Sequence, residues 1–272
     1  MDLRTETTVP RRSAGKAARM VSMVGLGLAM ATCLALTPAS AGEEPEYRMT
    51  TYQFVMLMTG PDQAPMTPEE SRQVQRAHLD HLQKLEDEGK MLLVGPIADG
   101  GPLRGIAVLT VGSAEEAQAI FDQDPWVKIG RMQAEIHTWW AADGIMRQVD
   151  DIMDHRSCYL GLLRRPADAP EFSEAELAEL QKGHLANIKK MADSGYLVIA
   201  GPMGDDGVLR GIFVFCTPEE EKIERTRSWD PSIIPEEEKI REMVAQDPSI
   251  QAGRLEMDLY RWTIPSGSLP DK

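Results

Sequence analysis

The chain has 272 residues, 42% of them hydrophobic, and its 43 acidic side chains against 29 basic ones give a formal net charge of −14. A surplus of that size repels the phosphates of nucleic acid and of anionic membrane surfaces, and so argues against both as partners. Three cysteines in such a length are too few for a disulfide scaffold.

The first segment does not belong to a fold. Arg4, Arg11, Arg12, Lys16 and Arg19 make a basic start, Met20 to Leu36 is mostly apolar, and Ala39-Ser40-Ala41 is a small-residue cleavage site. Residues 1–41 are therefore predicted to be a secretory signal peptide cut before Gly42, and the protein to be periplasmic or secreted. An uncleaved anchor is the competing reading, but Gly25, Gly27 and Thr32 break an apolar run already near the lower limit of about 17 residues for a span. Arg11-Arg12 with Lys16 has the spacing of a twin-arginine signal, yet Ala14 and Gly15 stand where bulky apolar residues belong, so the export route stays open. Cleavage removes five basic and two acidic residues, leaves a net charge near −17, and leaves no stable membrane span.

Tyr52 to Met58, rich in apolar and β-branched residues and stopped by Gly60-Pro61, reads as a buried strand. A helix follows, opened by the capping box Thr67 with Glu70, carrying Val74, Leu79, Leu82 and Leu85 on one side and ending at Gly89 as a left-handed cap. The runs MLLVGP and GIAVLTV are two strands joined by the glycine-containing hairpin ADGGPLR. A second helix opens near Ser113 and ends at Asp124-Pro125, and AEIHTWW is the last strand.

This whole order then recurs. His184, Gly195, Gly201-Pro202 and the LRGI at 209–212 each lie 106 residues after His78, Gly89, Gly95-Pro96 and the LRGI at 103–106. Asp247-Pro248, Gly253-Arg254 and Trp262 lie 123 residues after Asp124-Pro125, Gly130-Arg131 and Trp139, so the second copy carries 17 extra residues, roughly Thr217 to Pro235. The chain divides into a first domain 42–140, a linker 141–157, in which IMRQVDDIMDH could form a helical turn or two, a second domain 158–265 and a tail 266–272. Each β-α-β-β-α-β unit covers one sheet face with helices and leaves the other bare, and a second copy can cover it. The expected architecture is α+β: two tandem ferredoxin-like domains packed sheet to sheet as an intramolecular pseudo-dimer, with further association into oligomers left open. Cys158 and Cys216 fall at one end of neighbouring strands, where either a disulfide or two thiols is compatible with the sequence.

The His-Leu, helix-ending Gly, Gly-Pro, glycine hairpin and Asp-Pro followed by Gly, twice in the same order, resemble the YCII-related family of ferredoxin-like domains. That resemblance implies a dimeric α+β barrel with a pocket in each domain and a His and Asp active site, here His78 with Asp124 and His184 with Asp247. Activity is assigned to few members of the family, one of them a dechlorinating enzyme that acts on a hydroxylated aromatic ring, so the resemblance implies a site without a substrate. A decoy Asp230-Pro231 lies in the insertion, and the spacing to Gly253 selects Asp247.

A carboxylate that holds an imidazole fixes its tautomer and stabilises its protonated form, which suits a general base or acid. The residues alone leave open whether His78 and His184 do chemistry or are satisfied core residues, and whether the two Asp are only turn formers before proline. Arg104 and Arg210 are candidates for holding an anionic group of a substrate, with simple solvation as the other reading. Trp126 could line a pocket that Ser249 would shape differently in the second copy; Trp139, Trp140, Trp262 and Tyr260 read as core or inter-domain aromatics. His81 lies one turn from His78 but becomes Asn187 in the second copy, so no metal is expected, and no motif calls for a cofactor. The functional expectation is cofactor-independent acid–base chemistry of a lyase or isomerase type on a small organic molecule, with the first copy as the better catalyst; a non-catalytic ligand-binding or structural protein is the alternative.

Overall fold

The computed structural model describes residues 48–217 and 236–270. Residues 1–41, expected to be a signal peptide, and the insertion beyond Thr217 lie outside the described residues. The first copy runs β1 (Met49–Thr59), α1 (Pro68–Asp87), β2 (Met91–Pro96), β3 (Leu103–Leu109), α2 (Ala114–Phe121), α3 (Pro125–Lys128) and β4 (Met132–Ala142). The second runs β5 (His155–Arg164), α4 (Glu174–Asp193), β6 (Leu197–Pro202), β7 (Leu209–Phe215), α5 (Glu236–Val244), α6 (Pro248–Gln251) and β8 (Glu256–Pro265). Each copy forms one antiparallel four-stranded sheet, ordered β2-β3-β1-β4 and β6-β7-β5-β8. Among the described residues no helix is long and apolar enough to cross a membrane.

The strands read as continuous apolar runs because both their faces are buried. Side chains alternate across a strand, so Val55 and Leu57 point to the helices while Phe54 and Met56 point to the other sheet. The inter-sheet core takes Phe54, Met56, Ile106 and Trp139 from the first copy and Leu160, Leu162, Ile212 and Trp262 from the second. Each helix layer has its own smaller core. The pseudo-dimer is thus four layers deep, helices outside and two sheets within.

Two contacts related by the pseudo-twofold axis close the sheets on each other. Trp139 donates its indole N–H to Gly201 O and Trp262 donates to Gly95 O, both at 3.2 Å. Beside them, Ala98 N–H donates to Arg261 O at 3.0 Å and Gly204 N–H to Thr138 O at 2.8 Å, so backbone bonds join the copies at both seams. The glycines of the two Gly-Pro pairs are required for this approach: a β-carbon at Gly95 would collide with Thr263 O, and one at Gly201 with Trp140 O. Both indoles are almost wholly buried, and truncating a core Trp to Ala typically costs about 3–5 kcal/mol. Trp140, expected among the core aromatics, is instead 50% exposed, because strand alternation turns it away from the face that Trp139 fills.

The helices begin and end as their sequences dictate. Thr67 and Ser173 both form complete capping boxes with Glu70 and Glu176, and Gly89 and Gly195 follow the helix ends with φ of 69° and 81°. The buried positions of α1 are His78, Leu82, Leu85 and Glu86, while Val74 and Leu79 flank that face. The linker forms turns and bends, not the helical turns its composition suggested. Its backbone is pinned instead: Val149 N–H donates to the buried Glu86 carboxylate at 2.8 Å and Gln148 Nε2 to Glu86 O at 2.7 Å. Residues 266–270 also return to the body, with Leu269 buried in the inter-sheet core and Ser268 O accepting from Arg147 N–H. Cys158 and Cys216 are joined in a disulfide within that same core, with their α-carbons 4.5 Å apart.

Candidate functional site

His78 lies on the buried face of α1, half-way along it, and meets the start of α3. That four-residue helix, where the sequence predicts only the end of α2, begins because Asp124 caps it and Pro125 takes its first position, where the missing N–H costs nothing. α2 itself ends at Phe121. One carboxylate oxygen of Asp124 accepts from Trp126 N–H at 2.9 Å; the other is 2.6 Å from His78 Nδ1. Asp124 is therefore both the turn former and the histidine's partner, two roles that the sequence set against each other. In the second copy His184 Nδ1 lies 2.7 Å from Asp247 Oδ2, and Ser249 N–H donates to the other oxygen at 2.9 Å.

A buried carboxylate beside Nδ1 dictates that this nitrogen carries the proton, which leaves Nε2 as the basic nitrogen. Neither Nε2 has a hydrogen-bond partner among the described residues, and neither is among the polar atoms sealed from solvent without one. The histidines are nonetheless mostly covered, with side-chain exposures of 11% and 13%. Burial raises the pKa of the Asp247 carboxyl, but the hydrogen bond and charge of His184, the Ser249 N–H and Asn187 outweigh it, and the net shift is downward.

The surroundings of the two pairs differ by an exchange of volume. In the second copy Phe213 of β7 stacks on His184, ring centroids 6.1 Å apart, whereas β3 has Ala107 at the matching position. The first copy compensates from the helix side with Phe121, where the second has Val244, and Phe121 meets the edge of His81. Each copy keeps one phenylalanine, but in the first its ring stands off the catalytic candidate, and the position facing His78 is left with Ala107 alone. His81 replaces Asn187 beside its carboxylate; burial holds its imidazole below the ordinary value, Asp124 pulls the other way, and its Nε2 is sealed without a partner.

Of the predicted set, the structure brings together His78 with Asp124 and Trp126, and His184 with Asp247, while Arg104 and Arg210 stand apart. Trp126 is buried, with its backbone N–H on Asp124 and its indole N–H donated to Gln75 Oε1 at 3.1 Å, so its polar atom is already used. Arg104 and Arg210 lie at the hairpin ends of β3 and β7, and no described contact links them to either histidine. Arg210 is held by Asp206 at 3.6 Å and by the carbonyls of Asp205 and Gly207, and it lines a cavity with Arg165 and Arg254, two residues that the sequence did not single out. Among the described residues no three His, Cys, Asp or Glu side chains gather closely enough to hold a metal ion.

Residues 53–140 match the family model of the YCII-related domain, so the first copy is a YCII-related domain, and the second repeats its elements and motifs in tandem. No curated protein matches the chain in sequence. Similar solved structures include a chlorite dismutase variant from Candidatus Nitrospira defluvii, 9% identical with a TM-score of 0.49, covering 80% of this chain and 92% of that one. A heme-binding protein from Thermus thermophilus is 11% identical with a TM-score of 0.46, covering 80% and 93%. Likenesses at this level carry no argument about ligand or reaction.

The downward shift at Asp247 has a signed consequence. A folded-state pKa below the unfolded value of 3.8 means that the pair's contribution is fully present above that pH and is lost as pH falls through the folded pKa. Urea unfolding of wild type and Asp247→Asn between pH 7 and 3 is expected to show the gap between them narrowing on the acid side; a constant gap would show that the carboxylate gains nothing from its partners.

Proposed function

We propose that the chain is an exported protein whose His–Asp pairs perform cofactor-independent acid–base chemistry on a small organic molecule, of the lyase or isomerase type. The observation that carries this reading is the same buried pair built twice, each with Nδ1 on a carboxylate and Nε2 without a partner among the described residues. Such an imidazole takes a proton at Nε2 from a carbon beside a carbonyl or on a hydroxylated ring. The carboxylate stabilises the imidazolium until the proton is returned to a neighbouring atom. The first copy is the better base: its His78 lacks the ring that stacks on His184.

A second reading, capture of a small ligand without turnover, is favoured by the burial of both histidines and by Phe213 against His184. Deuterium exchange separates the two. Mature protein in D2O with a panel of small carbonyl compounds and hydroxylated aromatics, followed by proton NMR, is expected to exchange an activated C–H. His78→Gln should slow the exchange by about 100-fold or more, as general-base contributions run, with a smaller loss in His184→Gln and both variants folded by circular dichroism. Compounds that bind without exchanging in the wild type would establish capture.

Export is supported by the signal-like first 41 residues and by the Cys158–Cys216 disulfide, a bond that persists in oxidising compartments. Protein recovered from outside the cytoplasm should begin at Gly42 and, when unfolded, yield thiol only after reduction. A chain that begins at Met1, or that titrates as free thiol, would count against export.

A further inference from the structure

Among the differences between the loops after the first strand of each copy, the exchange of Gly60 for Pro166 has a large effect. In the first copy Gly60 lies so close to Gly130 and Arg131 that a β-carbon there would collide with Gly130 O, and its N–H donates to Arg131 O at 2.8 Å. Held there, the loop offers its carbonyls to the Arg131 guanidinium, which donates to Ala64 O at 2.6 Å and Asp62 O at 3.4 Å. In the second copy the matching residue is Pro166, which has no N–H to give and whose ring cannot occupy Gly60's space. Arg254, the counterpart of Arg131, has no side-chain hydrogen bond or ion pair among the described residues.

What stands there is a cavity of about 230 Å³ lined by Arg165, Asp206, Arg210, Arg254 and Leu255. Arg165 replaces Thr59 of the first copy, and it too has no side-chain partner among the described residues. Three guanidiniums face one carboxylate, and Asp206 is engaged by Arg210. In a chain with a net charge of −14 such a concentration of unpaired positive charge does not follow from composition. Asp206 is the one counter-charge among the described lining residues, so the guanidiniums still repel one another, and an anion that enters stabilises the arrangement as well as itself.

The geometry points to a binding site for a doubly charged phosphate-type oxyanion, the phosphoryl group of a small ester or free phosphate, built only into the second copy. Two net positive charges match a phosphate dianion, and guanidinium forks are the side-chain donors that best fit its oxygens. This site is independent of the His–Asp chemistry. Bound at the seam between the loop after β5 and Arg254 in the turn that follows α6, the anion would replace the contacts that Arg131 makes in the first copy.

Inorganic phosphate is the probe, titrated calorimetrically into the mature protein at physiological chloride. Arg165→Thr, which installs the first copy's residue at an exposed position, and Arg254→Lys, which keeps the charge but removes the fork, are expected to weaken binding by about tenfold or more each, as loss of a charge-assisted contact does. Arg104→Ala in the first copy and His184→Gln should leave it unchanged. A phosphate ester that binds more tightly than free phosphate, with the same dependence on the arginines, identifies the source. No phosphate binding in the wild type, or binding unaltered by both Arg165→Thr and Arg254→Lys, would overturn the proposal.

Discussion

Everything in this molecule depends on how closely two sheets can approach along their edges. Each sheet brings one large indole to the seam, Trp139 or Trp262, and each must find both an acceptor and space on the other copy. Gly201 and Gly95 supply both, a carbonyl for the N–H and the absence of a side chain where the partner strand's backbone passes. An indole buried without an acceptor would forfeit about 1–3 kcal/mol in desolvation, and a β-carbon would hold the sheets apart. The contact is reciprocal, so neither copy can complete its core alone.

That arrangement separates stability from function. The shared core lies between the sheets, whereas both His–Asp pairs lie in the helix layers outside them. Changes around a pair are confined to that copy's own helix-side core. This freedom is visible in the exchange of Ala107 and Phe121 for Phe213 and Val244, which moves an aromatic ring onto His184 without altering the pair itself. It is visible again where Pro166 replaces Gly60 and leaves Arg254 without the carbonyls that hold Arg131. Duplication kept the scaffold and let its two outer faces diverge.

Much of this was legible in the sequence, because duplication prints every constraint twice. Element order, capping boxes and helix-ending glycines follow from short local patterns that recur at fixed offsets, whereas the His–Asp pairing was implied by the family resemblance and not by the residues alone. The purpose of Gly95-Pro96 and Gly201-Pro202 was not legible, since a glycine required by another domain's backbone looks the same as a glycine required by a turn. Trp140 was misplaced because two adjacent tryptophans give no sign of which faces inward. The short helices after Asp124 and Asp247 were hidden by the prolines that begin them, which read equally well as helix stops. Glu86 as the anchor of the linker, and the gathering of Arg165, Arg210 and Arg254, depend on loop paths that no periodicity encodes. The signal for the latter was present but faint: a proline where the first copy has a glycine.

The central claim is that the two copies form one cooperative unit through these reciprocal contacts. Native-state hydrogen exchange on Gly201→Ala tests it most directly, because the substitution lies in the second copy and collides with Trp139 and Trp140 of the first. Amide protection is expected to fall by a similar factor in β1 and β3 of the first copy as in β5 and β7 of the second. Loss of protection confined to the second copy, with the strands of the first unchanged, would contradict it.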